Sequence, residues 1–146
     1  MSKKRILFIG DTYRLSTGYS TVISNIMLEL LKDGNYEVAQ LGLADRPVDP
    51  NSPQIPIKYY ATFKDHSRCC GRGQVIEYYD HANKTYDTLT PNLTVDSHPS
   101  KGFCPNGAPM NQDGFGQESC FFVIQHFKPD MVIAVNDVWG LYHLNL

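Results

Sequence analysis

The 146 residues, 42% hydrophobic and 19% charged, are the composition of one soluble globular domain and too few for two full ones. A chain of this length buries roughly 68–70% of the surface its unfolded form exposes, enough for a core without metal or disulfide staples. Thirteen Lys and Arg stand against fifteen Asp and Glu, for a net charge of -2, so the strongly basic face used to bind phosphate backbones is absent and no nucleic-acid partner is expected.

The first element follows a short basic segment, Ser2-Lys3-Lys4-Arg5. The apolar run Ile6-Leu7-Phe8-Ile9 stops at Gly10, which is too short for the core of a signal peptide, and no 18-residue apolar stretch exists elsewhere. The chain is therefore expected in the cytoplasm, without a membrane span. Lys4 to Ile9 instead reads as a strand covered on both faces, the central strand of a parallel sheet. Val22, Ile23, Ile26, Met27, Leu30 and Leu31 then recur at the 3.6-residue period of an amphipathic helix. Ser16, Thr17 and Ser20 offer hydroxyls to its first amides, and Gly34-Asn35 suit its end. Tyr36 to Leu43 reads as a second strand, completing a β-α-β unit with a parallel pair.

Ile55 to Tyr60 reads as a third short strand. Pro47, Pro50, Pro53 and Pro56 on its approach would confine it to a sheet edge. Residues from about 64 to 115 form a loop-rich insertion, with a small local strand at Val75 to Tyr79. This insertion collects His66, Cys69, Cys70, His81, His98 and Cys104, but only His66 pairs with Cys69 or Cys70 at a usual zinc-ligand gap, and no metal site is assigned. Tyr59, Tyr60, Tyr78, Tyr79 and Tyr86 can form either a partner or sugar surface or ordinary half-buried packing. Asn83-Lys84-Thr85 and Asn92-Leu93-Thr94 mark exposed loops. Glu118 to Phe127 carries Cys120, Phe121, Ile124 and Phe127 at helical spacing, Lys128-Pro129-Asp130 ends it, and Met131 to Val135 is the last strand. Val138 to Leu146 reads as the start of a further helix.

In an open α/β sheet, ligands sit beyond the carboxyl ends of the strands. The loop Gly10 to Ser20 leads straight into the first helix, whose free amides favour an anionic group such as a phosphate or carboxylate. Gly10, Asp11, Thr17, Gly18 and Tyr19 are the candidate ligand-binding residues in it. Neither G-x-G-x-x-G nor G-x-x-x-x-G-K-[ST] occurs, so the two glycines equally suit a plain strand-to-helix turn. After the last strand, Asn136, Asp137 and Trp139 form a second candidate group. The Asp137 carboxylate can take a proton from a hydroxyl and Trp139 can stack on a sugar; a helix cap at Asp137 and a core Trp are the structural alternative.

Two blocks of the sequence together resemble the N-terminal domain of GT-B glycosyltransferases of the family 4 type. One is Ile6-Leu7-Phe8-Ile9-Gly10, then Thr17-Gly18-Tyr19-Ser20-Thr21-Val22, Leu30-Leu31-Lys32-Asp33-Gly34 and Tyr36-Glu37-Val38. The other is Gly114-Phe115-Gly116-Gln117-Glu118, then Ile124, Phe127 to Ile133 and Asn136-Asp137-Val138-Trp139. The resemblance implies a single Rossmann-like domain over 1–146, an open, mostly parallel sheet of three to four strands with flanking helices. It implies that the Gly18 loop lies near a donor diphosphate or the acceptor, and that Asn136, Asp137 and Trp139 line an acceptor pocket, Asp137 being the catalytic candidate. Many members carry a His where Asn136-Asp137 stands here. The donor half of such enzymes has no counterpart in these residues. The expected partners are accordingly a sugar or glycan acceptor, a nucleotide sugar for the complete enzyme, and either a donor domain or a protein partner against the open sheet edges. No cofactor beyond the nucleotide-sugar donor is implied. The alternative is a non-catalytic binding or protein-interaction module on the same fold.

Overall fold

The computed structural model describes residues 2–13, 17–43, 55–61, 64–65, 74–80, 83–89, 119–136 and 144. Strand β1 (Lys4–Asp11) runs into helix α1 (Gly18–Asp33), which returns to β2 (Tyr36–Leu43). β3 (Lys58–Ala61), the two-residue β4 (Lys64–Asp65), β5 (Gln74–Asp80) and β6 (Thr85–Leu89) follow, then helix α2 (Ser119–Phe127) and β7 (Met131–Val135).

The protein is an α/β fold on one mixed sheet. β1 pairs in parallel with β2 on one side and β7 on the other, and β2 pairs in parallel with β3. The β-α-β unit agrees with the sequence; β1 is interior, paired on both sides, but it stands next to β7 at one end of the strand order and not at the centre of the sheet, because β3, β5 and their partners all add on the β2 side. The expected three to four strands are this parallel block, but the sheet does not stop there: β5 adds antiparallel to β3, and β4 and β6 each pair with β5. β3 is consequently interior, which corrects the expected edge. Pro56 precedes the first paired residue, Lys58, so it removes no ladder amide. The β5–β6 hairpin closes around Asp80, whose carboxylate accepts the backbone amide (3.1 Å) and side-chain amide (2.8 Å) of Asn83. Strand pairing thus begins inside the segment that composition marked as loop-rich.

Alternation along β1 fixes the layers. Leu7 and Ile9 join Ala39, Leu41, Leu43, Tyr60 and Ile76 beneath Cys120, Val123 and Phe127 of α2. Ile6 and Phe8 join Val38 and Ile57 beneath Ile23 and Met27 of α1. Each large aliphatic side chain buried this way contributes about 1.5–3 kcal/mol of transfer free energy. The buried stripe on α1 is narrower than its apolar pattern: Val22 and Ile26 lie 47% and 39% exposed, because two turns of Ile23 and Met27 already cover β1 and β2. On α2 the buried set is Ser119, Cys120, Val123 and Phe127, while Phe121 points outward at 55% exposure. Among the described residues no helix is long and apolar enough to cross a membrane.

Asp130 ties the last strand to the first. Its amide donates to the Arg5 carbonyl (2.8 Å) and its carboxylate accepts the Arg5 amide (2.8 Å). Beside it the Arg5 guanidinium lies 4.5 Å from the centre of the Phe127 ring and Nε is 3.3 Å from Glu37, which also takes Lys58 at 2.8 Å. Across the same face Tyr60, Tyr78 and His126 pack together, with the Tyr60 hydroxyl 2.8 Å from His126 Nδ1. The paired tyrosines therefore serve the core: Tyr59 and Tyr60 are fully buried and Tyr79 nearly so.

Burial, reinforced by Tyr78, raises the Tyr60 phenol well above its ordinary value of 10.0. An unfolded tyrosine ionises near pH 10 while Tyr60 in the fold resists, so its contribution is complete below pH 10 and is lost as pH rises beyond it. The unfolding free energy from urea titrations is expected to fall from pH 9.5 to 11 more steeply in the wild type than in Tyr60→Phe, by roughly 1.4 kcal/mol per pH unit at most. Parallel slopes for the two proteins would refute this.

Candidate functional site

β1 and β7 leave the sheet side by side at their carboxyl ends, and between them the chain changes direction: from β1 it passes through α1 to β2, while β7 lies on the other flank. This is the crevice where open α/β sheets receive ligands. Gly10 pairs with Val135, so the next residues, Asp11 and Asn136, face each other across it, with Asn136 Nδ2 3.4 Å from Asp11 Oδ1. Thr17 donates its hydroxyl to Asp11 Oδ2 at 2.9 Å. A carboxylate, a hydroxyl and an amide from three separate positions in the chain thus meet at one half-exposed point.

The loop between β1 and α1 is held by its own polar side chains. Thr17 is the N-cap of α1, and its Oγ1 accepts the Ser20 amide at 3.1 Å. Buried Ser20 donates to the Thr12 carbonyl (2.8 Å), and Ser24 donates to the Tyr13 carbonyl (3.3 Å). Gln40, fully buried in β2, donates Nε2 to the Asp11 carbonyl (2.7 Å) and accepts the Tyr13 amide on Oε1 (3.1 Å). Tyr13 in turn stands edge-on to the ring of Tyr59 at 5.8 Å. Backbone groups on both sides of the turn are thereby satisfied from beneath, leaving the Asp11 carboxylate beside the helix end.

That placement changes the expected electrostatics. The positive end of α1 is worth about 0.3–1 kcal/mol to a nearby anion, and the chain supplies that anion itself as Asp11. A phosphate in the same place would meet a carboxylate, whereas a hydroxyl-bearing ligand would find an acceptor in Asp11 and a donor in the Asn136 amide.

The individual candidates fare differently. Asp11, Thr17 and Asn136 come together, and Tyr19, the second residue of α1, lies 38% exposed. Gly18 opens α1 with nothing within 4 Å of where a Cβ would stand, so packing does not require a glycine there. Gly10 is buried, and a Cβ would meet the Val135 carbonyl oxygen at 2.3 Å; its place is explained by close strand and helix approach. Asp137 and Trp139 lie outside the described residues, as do His66, Cys69, Cys70, His81, His98 and Cys104. Among the described residues no group of three or more potential metal ligands occurs. Gln40 and Ser24 are the residues holding this loop that the sequence reading missed; Ser20 was expected to cap an amide and instead donates to the Thr12 carbonyl. The available signal was Gln40 itself, a lone polar residue inside the apolar strand Val38-Ala39-Gln40-Leu41.

A second depression, about 180 Å³, lies at the opposite end of the sheet between Tyr36, Ile57, Lys58 and Asp80. Lys58 pairs there with Glu37 and Asp80 holds Asn83, and Lys3 also lines it. The carboxyl-end crevice is the better candidate because it lies where open α/β sheets receive ligands. Compared with models of known families, with curated proteins and with solved structures, the chain matches none.

Proposed function

We propose that this chain is the acceptor-side domain of a GT-B glycosyltransferase of the family 4 type, transferring a sugar from a nucleotide sugar to a hydroxyl acceptor. The observation that carries the reading is the meeting of Asp11, Thr17 and Asn136 at the point where the parallel strands diverge, an arrangement fitted to sugar hydroxyls. The parallel order β3-β2-β1-β7 supports a Rossmann-like arrangement of that block. In this reading Asp11 and Asn136 orient the acceptor, Tyr19 and Trp139 flank it, Asp137 takes the acceptor's proton, and Gly18 leaves room for the ligand at the helix end. The nucleotide sugar belongs to a donor domain.

The alternative, a binding module without transfer, is favoured by one observation: Asp11 stands where a diphosphate would otherwise gain most from α1. Calorimetry against oligosaccharides tests what the two readings share: sugar binding that weakens at least tenfold in Asp11→Ala, a loss of roughly 1.4 kcal/mol, is expected under either. Because the nucleotide sugar belongs to a donor domain, sugar transfer when this chain is joined to such a domain favours the transferase, and sugar binding without transfer favours the module. No heat with any sugar sinks both.

A further inference from the structure

The two carboxylate oxygens of Asp11 are unequally engaged. Oδ2 takes the Thr17 hydroxyl at 2.9 Å, an ordinary bond, whereas Oδ1 has Asn136 Nδ2 only at 3.4 Å, beyond the usual range for an amide donor. A hydroxyl oxygen set between them exchanges that one weak bond for two, donating to Oδ1 and accepting from Nδ2. The group that fits must donate, which a hydroxyl or an ammonium does and an ionised carboxylate or phosphate does not. Charge acts in the same sense. The described segments that form the crevice, 6–13, 17–31 and 131–136, contain no Lys or Arg to offset Asp11; Arg14 and Asp137 lie outside the described residues.

We infer that this crevice selects neutral and amino sugars and rejects acidic ones such as uronates, with Asp11 as the specificity-determining residue. Such selectivity rests on the sugar-binding reading proposed for the same site and adds to it the class of sugar. Two opposing effects set its size. The positive end of α1 favours an anion by a factor of about two to five, and Asp11 already lies beside it. A ligand carboxylate brought within about 5 Å of Asp11, at a point this exposed, is opposed by roughly tenfold in affinity. Repulsion therefore prevails, and the neutral sugar is expected to bind about threefold more tightly or better at low salt.

NMR titrations of the isotope-labelled protein, following the Asn136 side-chain amide, are the test. The probes are glucose with glucuronate and galactose with galacturonate, each pair differing only in a hydroxymethyl or a carboxylate group, and glucosamine as the cation. In about 0.02 M salt the neutral member is expected to bind at least threefold more tightly and glucosamine no more weakly than glucose, while in about 1 M salt the neutral-to-acidic ratio should approach one. Asp11→Asn, checked for unchanged circular dichroism, keeps the shape without the charge and is expected to remove the preference or reverse it, since the end of α1 then acts alone. Glu29→Gln removes a charge farther along α1 and is expected to leave the ratio unchanged. Neutral and acidic members that bind alike to the wild type at low salt, or a preference that survives Asp11→Asn, overturn the selectivity and leave sugar binding standing. A wild type whose Asn136 amide responds to no neutral sugar overturns the sugar-binding reading, and the selectivity falls with it.

Discussion

Gly10→Ala is expected to lower the unfolding free energy by about 3 kcal/mol, shifting the thermal midpoint by roughly 10 °C. The added Cβ would stand 2.3 Å from the Val135 carbonyl oxygen and 2.7 Å from Ile23 Cδ1. The isoleucine can turn aside, but the carbonyl belongs to the strand paired with β1 and can retreat only by opening that pairing. Gly18→Ala is the matched control, eight residues away with open space around it, and should change stability by less than about 1 kcal/mol in the favourable direction. Equilibrium urea unfolding of the two variants beside the wild type measures both. Equal midpoints for Gly10→Ala and the wild type would mean that β1 and β7 are not in this contact.

Gln40→Leu is expected to damage the fold and the site together. Leucine fits the apolar surroundings of β2, but it strips the Asp11 carbonyl and the Tyr13 amide of their partner. A buried polar group left unsatisfied costs about 1–3 kcal/mol, so a loss of roughly 2–4 kcal/mol is expected from the pair after the apolar gain is counted. Released groups move toward water, and the Asp11 carboxylate moves with its backbone. Amide exchange should therefore rise selectively over residues 11–13, and under the proposed function sugar affinity should fall by an order of magnitude or more even at temperatures where the variant is fully folded. A variant that binds sugar normally while folded would show that the strap under the loop is dispensable.

How much of this was readable beforehand depends on the range of the interaction. The parallel block was legible because its signals are local: the unbroken run Ile6 to Ile9, the period of Ile23 and Met27, the cap at Thr17 and the left-handed turn at Gly34, φ 78°. Of the antiparallel extension only β5 was legible, as the small local strand at Val75 to Tyr79. β6, Thr85-Tyr86-Asp87-Thr88-Leu89, lacks an apolar period of its own and takes its form from pairing with β5. The width of the helix faces was also misjudged, since periodicity marks which residues can be buried but not how many the sheet beneath has room for. Within the site, chain position alone brought out Asp11, Thr17 and Asn136, because strand ends are where such sheets receive ligands. The direction of the Asp11 carboxylate, which sets a negative group beside the helix end, depends on Thr17 and Asn136 meeting it in space. Glycine roles divided the same way: Gly42, whose Cβ would overlap the Tyr59 hydroxyl, gives no sign in the sequence of the ring that lies against it.

The clasp between Asp130 and Arg5 joins residues 125 positions apart. During synthesis β1 and β2 emerge early, yet one flank of β1 stays unpaired until β7 has left the ribosome. Leu7, Phe8 and Ile9, each fully buried, must therefore wait until the chain has grown past Asp130. Closure over so long a separation is slow, and the intermediate that precedes it leaves one flank of β1 open. A nascent chain halted before residue 130 is the form most in need of a chaperone, and release of that chaperone should coincide with docking of β7 rather than with formation of the first β-α-β unit.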